Sequence, residues 1–108
     1  MVRLIDKPDC LEHGHEFYEL TYKGSVYAYV GIDYIEDVAS FHINVLSWSH
    51  NIAKQLKQDW GGLKLKCKMN GVKRLVASHQ ENDEKWKKFI KMFGFSDPKY
   101  ILVSEQEL

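Results

Sequence analysis

Between positions 17 and 46, apolar and polar residues alternate with a period of two in three successive stretches. That spacing is the mark of strands with one face turned to a core. The first stretch, 17–22, is rich in aromatics and stops at Lys23-Gly24-Ser25, a short glycine-containing turn. In the second, Val26, Ala28, Val30 and Ile32 share one face and Tyr27 and Tyr29 the other. After an acidic turn at Glu36-Asp37, Phe41, Ile43 and Val45 alternate with His42 and Asn44. Connections this short favour antiparallel neighbours, so the segment reads as a meander.

The period then changes. Ile52, Leu56, Trp60 and Leu63 recur every three or four residues with polar residues largely between them, which predicts a helix capped by Ser47 or Ser49. Its far end is ambiguous. Leu63, Leu65, Cys67 and Met69 alternate with lysines, so 63–69 could pair with 72–78 as a ribbon turning at Asn70-Gly71. Alternatively, Asn70-Gly71 is the cap of one long helix that leads into a buried strand over 72–78. Further on, Asp83-Glu84 ahead of Lys85, Lys87, Lys88 and Lys91 suits a helix dipole. Trp86, Phe89, Ile90 and Phe93 supply that helix with an apolar face. Gly94 ends it, Asp97-Pro98 turns the chain, and 100–103 forms a last strand.

The chain has 108 residues, enough for one domain spanning 1–108. Fifteen basic and fifteen acidic residues leave no net charge, and so no long-range field toward nucleic acid or an anionic membrane. Two distant cysteines, Cys10 and Cys67, make no disulfide framework and suit a reducing compartment. With no signal-peptide pattern at the N-terminus and no long apolar run, the expected location is cytoplasmic, away from membranes.

The order β-β-β-α-β-α-β, with segments 71–77 and 82–95 closing in Gly94-Phe95, resembles the GNAT N-acetyltransferase superfamily over about residues 18–104. It is similar in flavour to the small acetyltransferase-like proteins of tailed phages, including internal virion proteins, which share the Trp- and Lys-rich helix with Phe89 and Gly94. The resemblance implies an α+β, truncated GNAT-like fold in which 49–69 is the cofactor-side helix. The acceptor-side elements that usually precede the meander are largely missing. It also implies an acetyl-CoA site at Leu46, Ser49, His50, Asn51, Ile52 and Ala53. The family's pyrophosphate motif is Arg/Gln-x-x-Gly-x-Gly/Ala, and here Trp48 stands at the basic position, Asn51 at the first glycine and Ala53 at the last small residue. Asn tolerates unusual backbone angles, which makes it a partial substitute for glycine. Glu36, His42 and Asn44 are the polar candidates for the base that takes the acceptor's proton. Ile90 occupies the place of the tyrosine that many members use as an acid.

These departures favour a degenerate acetyl-CoA site on a phage-type protein acting through a protein partner, in a virion or host-takeover role (in the host cytoplasm if phage-encoded). The alternative is an active acetyl-CoA-dependent N-acetyltransferase. Nucleic-acid binding through the lysines at 64–68, 73 and 85–91 ranks third. Tyr27 and Tyr29 offer a face for a homodimer, and His13-x-His15 has the spacing of a strand-borne metal pair but reads as a polar loop.

Overall fold

The structure, a computed structural model, describes residues 1–9, 11, 14–78 and 103–107. The helix expected over 82–94, with Trp86, Phe89, Ile90 and Gly94, lies outside them, as do Cys10, His13 and Tyr100. The described residues form one mixed sheet whose strand order follows chain order. Its strands are β1 (Val2–Ile5), β2 (Glu16–Tyr22), β3 (Ser25–Ile35), β4 (Val38–Val45), β5 (Arg74–Ser78) and β6 (Val103–Glu107). Every neighbouring pair is antiparallel except β4–β5, which is parallel. A parallel pair needs a crossover, and α1 (His50–Met69) supplies it.

Both hairpin turns have the chemistry their backbones require. Lys23 (φ 51°) and Gly24 (φ 80°) together turn β2 into β3, and positive φ at both central residues matches the right-handed twist of the strands. Between β3 and β4, where Ile35 pairs Val38, only the first of the two turn residues, Glu36 (φ 55°), has positive φ.

The helix wins over the ribbon at 63–69 because burial follows a period of 3.6. Leu56, Trp60, Leu63 and Cys67 are buried on one stripe, whereas Leu65 and Met69, the other half of the apparent alternation, are exposed. Ser49 caps the start, its Oγ accepting from the Ile52 N–H at 3.1 Å. Asn70 ends the helix and Gly71 (φ 85°) turns the chain, so Val72 N–H returns to the Cys67 carbonyl. Gly61 and Gly62 lie inside the helix on its solvent side, with nothing within 4 Å of an added methyl group. Gly61→Ala and Gly62→Ala are therefore each expected to stabilise the fold by roughly 0.5–1 kcal/mol, read as a rise in the denaturant midpoint.

The core lies between α1 and the sheet face that carries Ala28, Val30, Ile32, Ala39 and Phe41. Phe41 and Trp60 meet edge to face with ring centroids 4.9 Å apart. The alternation expected along β3 fails at one residue. The register against β2 slips between Leu20 and Thr21, so Leu20 faces Ala28, Thr21 faces Val26, and Tyr27 is left as the extra residue of a bulge. The slip brings Tyr27 to the α1 side with Ala28, and both are buried. Tyr27 therefore shares no exposed face with Tyr29.

Under the helix the Tyr27 hydroxyl donates to Asp59 Oδ2 at 2.5 Å, and Gln55 Nε2 donates to Asp59 Oδ1 at 3.0 Å. The Met1 ammonium stands 3.0 Å from the same carboxylate, so the buried Asp59 is fully partnered. A second network pins the far half of α1. Glu16 accepts from the Tyr18 hydroxyl at 2.6 Å and pairs with Lys66 at 3.3 Å. Burial alone would raise the Glu16 carboxyl, but the Tyr18 hydroxyl and the Lys66 ammonium outweigh it and hold it below the usual carboxylate value. Burial pushes the free Cys67 thiol up.

β1 was not legible in the sequence. The last strand is described over Val103–Glu107; it includes Val103 of the predicted 100–103, and 100–102 lie outside the described residues.

Candidate functional site

Among the described residues, the parallel pair β4–β5 leaves an opening partway along β4. Its described register runs from Val38↔Arg74 to Phe41↔Ala77, while β4 continues to Val45; β5 is described to Ser78, and residues 79–102 lie outside the described ones. Main-chain directions fix what that opening presents. Leu46 N–H donates to the Tyr27 carbonyl at 2.8 Å, toward β3, whereas Lys73 N–H donates to the Asp37 carbonyl at 2.7 Å, on the β5 side. Counting by twos, even positions of β4 address β3 and odd positions address β5. Ile43 and Val45 are the two odd positions beyond the last pair, so their N–H and C=O groups point into the opening.

The N-terminus of α1 stands at the same end of β4, five residues beyond Val45. Of the six residues proposed for a cofactor, Ser49, His50, Asn51 and Ile52 share this first turn. Helix geometry gives the first amides no intrahelical acceptor. Ile52 N–H is taken by Ser49 Oγ and Ala53 N–H by the Ser49 carbonyl, at 2.9 Å. The amides of His50 and Asn51 therefore remain as anion donors at the positive end of the helix dipole. Asn51 takes ordinary helical angles, since among the described residues only Lys23 and Glu36 combine a side chain with positive φ. Its standing in for glycine thus does not involve an unusual backbone conformation. Leu46 gives its amide to β3 and contributes only an exposed side chain, beside an exposed Trp48 (53% and 51% accessible).

The three acid–base candidates separate. Glu36 sits in the β3–β4 turn, roughly 25–30 Å along the strand from Val45 at about 3.3 Å per residue, and so far from the opening. His42 and Asn44 are half-buried on the sheet face away from α1, and His42 immediately follows the last β4–β5 pair. His42 Nε2 lies 3.4 Å from Asp33 Oδ2, and Asp33 Oδ1 lies 2.9 Å from His15 Nδ1. Sequence reasoning passed over Asp33 and left His15 in a polar loop. The usable signal was a carboxylate on the β3 face opposite Val30 and Ile32, two residues after Gly31 and on the same face as His42. Among the described residues, no group of three or more metal-ligating side chains is placed to hold an ion.

No family model matches the sequence, and no curated protein matches it. Solved structures do match. The Escherichia coli ribosomal-protein-S18-alanine N-acetyltransferase shares the fold at TM-score 0.65 and 14% identity, covering 84% of this chain and 67% of that one. The GNAT domain of S. lividans PAT gives TM-score 0.69 and 17% identity, covering 86% and 60%. A GNAT family acetyltransferase from Elizabethkingia anophelis, with acetyl-CoA bound, gives TM-score 0.68 and 15% identity, covering 86% and 76%. The fold is that of the GNAT acetyltransferases. The chain spans 60% to 76% of the length of these three structures.

Proposed function

We propose that this protein binds acetyl-CoA in the β4–β5 opening and transfers the acetyl group to an amine. The observation that carries the reading is the placement of Ile43 and Val45, two strand positions without a β5 pair among the described residues, beside the first-turn amides of His50 and Asn51. An extended, amide-bearing ligand arm can pair with the former while a phosphate at its far end meets the latter. Acetyl-CoA has both parts, and the likeness to a GNAT structure that holds acetyl-CoA supports the assignment. Within this reading His42, at the mouth of the opening, is the group that takes the amine's proton.

The test is thermal. At a hundredfold excess over its Kd, acetyl-CoA would stabilise the fold by about 2.7 kcal/mol, on the order of 10 °C in Tm for a chain of this size. Val45→Pro removes one N–H from the opening and leaves the β3-facing hydrogen bonds in place, so its affinity for acetyl-CoA should fall roughly tenfold with little loss of fold. No shift at millimolar acetyl-CoA with the wild-type protein would sink the proposal.

A second reading, a GNAT-shaped protein that works by holding a protein partner, is supported by a specific feature of the same loop. Trp48 and Leu46 are exposed where a phosphate-binding side chain would be expected, and Ser49 Oγ already occupies one of the cradle amides. Exposed aromatics of this kind are enriched at protein interfaces. A flat thermal response to acetyl-CoA assigns the chain to this second reading.

A further inference from the structure

We infer that Asp33 is a positioning residue for His42, and that His15, Asp33 and His42 form one array on the sheet face away from α1. The inference rests on the acetyl-transfer reading above for its chemistry, although its geometry stands independently. Asp33 lies on β3 opposite Ser40, and His42 lies on β4 opposite Gly31, so the two are diagonal neighbours on one face. Each oxygen of the carboxylate takes one imidazole: Oδ1 the Nδ1 of His15 at 2.9 Å, Oδ2 the Nε2 of His42 at 3.4 Å. The carboxylate is about a quarter exposed, whereas His15 is 72% exposed and forms the solvent side of the array.

The chain that brings His15 in is held tightly. His15 N–H donates to the Ile32 carbonyl at 2.9 Å, and Gly14 (φ 145°) passes so close that an added Cβ would lie 2.9 Å from the Phe17 ring and 3.3 Å from Gly31 Cα. The connection between β1 and β2 is thereby fastened to β3 just where Asp33 stands.

An ionised carboxylate accepts hydrogen bonds and donates none. With Nε2 of His42 turned toward Asp33 at 3.4 Å, the imidazole is assigned the Nε2–H form and Nδ1 the basic role. In the reaction the amine nitrogen bonds to the thioester carbonyl carbon, and one N–H proton passes to His42, directly or through a water. The C–S bond then breaks, coenzyme A leaves with the bonding pair, and its sulfur takes up a proton as His42 returns to neutral. Asp33 holds the ring in one tautomer throughout and lies beside the positive charge while it exists.

The experiment has two arms on the full chain. In the first, imidazole nitrogen NMR of the resting protein reads the His42 tautomer. Wild type should show the Nε2–H form, and Asp33→Asn a mixture. In the second, steady-state transfer is measured with a panel of small primary amines. Asp33→Asn should lower kcat at least tenfold with the KM for acetyl-CoA unchanged, and Asp33→Asn combined with His42→Gln should be no worse than His42→Gln alone. An unchanged tautomer, an unchanged kcat, or losses that multiply in the double variant would each overturn the proposal. A tautomer that depends on Asp33 in a protein with no acetyl-CoA-dependent transfer would instead remove the parent reading and leave the Asp33–His42 contact standing.

Discussion

Phe41→Ala should unfold the protein at temperatures or denaturant concentrations where the wild type is fully native, with a loss of about 3–5 kcal/mol. Phe41 is completely buried, and it is the residue at which three elements meet. It pairs Ile32 on β3 and Ala77 on β5, and its ring abuts Trp60 of α1. Truncation loses the transfer energy of the ring, opens a cavity the rigid sheet cannot close, and removes an aromatic contact worth about 0.5–1.5 kcal/mol beyond its area. Most domains have only about 5–15 kcal/mol in hand. A Tm lower by something on the order of 15 °C follows for a chain this short. Chemical denaturation with two probes, tryptophan fluorescence and far-ultraviolet dichroism, checks it; a loss under 1 kcal/mol would mean that β4 and α1 do not pack as described. Because Phe41 also forms the last described β4–β5 pair, the same substitution should weaken acetyl-CoA binding under the proposed function.

The second large effect is alkaline. Burial first, and then the neighbouring carboxylate of Asp59, push the Tyr27 hydroxyl well above its ordinary value. Burial and Glu16 do the same to Tyr18. A tyrosine whose folded value is raised keeps its proton in the native state while the unfolded chain releases it, so the native state binds more protons above the ordinary value of 10.0. The contribution is fully present below that pH and is lost as pH rises through and beyond it. The slope approaches about 1.4 kcal/mol per pH unit for each of the two tyrosines. Stability measured from pH 9 to 12 should therefore fall steeply, with phenolate absorbance appearing together with unfolding rather than before it. Tyr34 is raised in the same way by burial, so Tyr27→Phe should remove only part of that slope. Phenolate absorbance of Tyr27 rising while the protein stays native would contradict the buried pairing with Asp59.

Much of the architecture was legible because it rests on local chemistry. The turns at Lys23-Gly24 and Glu36-Asp37, the strands they join, the Ser49 cap and the Asn70-Gly71 exit are each specified by a few adjacent residues. The choice between helix and ribbon at 63–69 is also encoded, but only in the longer stripe from Leu56 to Cys67, which the alternating lysines mask at short range. Other features depend on pairing partners that a single segment does not reveal. The bulge at Tyr27 comes from a mismatch of register with β2, and nothing in the run from Val26 to Ile32 announces it. β1 is four residues long, and β6 consists mostly of polar residues carried by main-chain pairing to β5. The site divided along the same line. The helix N-terminus was visible in Ser49 to Ala53, whereas the opening is a property of where two strands stop pairing. The array of His15, Asp33 and His42 spans three stretches of chain that only the sheet register brings together.

The agreement between strand order and chain order has a kinetic consequence. From β1 through β4 each pairing closes on the strand just made, and two of the three connections are two-residue turns. Such short closures are entropically inexpensive and fast. β5 reaches β4 only through the α1 crossover, so its pairing is expected to follow the docking of α1 at Phe41 and Trp60. The rate-limiting barrier should accordingly respond to changes along the helix stripe, while changes in the β5–β6 pairing should mainly hasten unfolding.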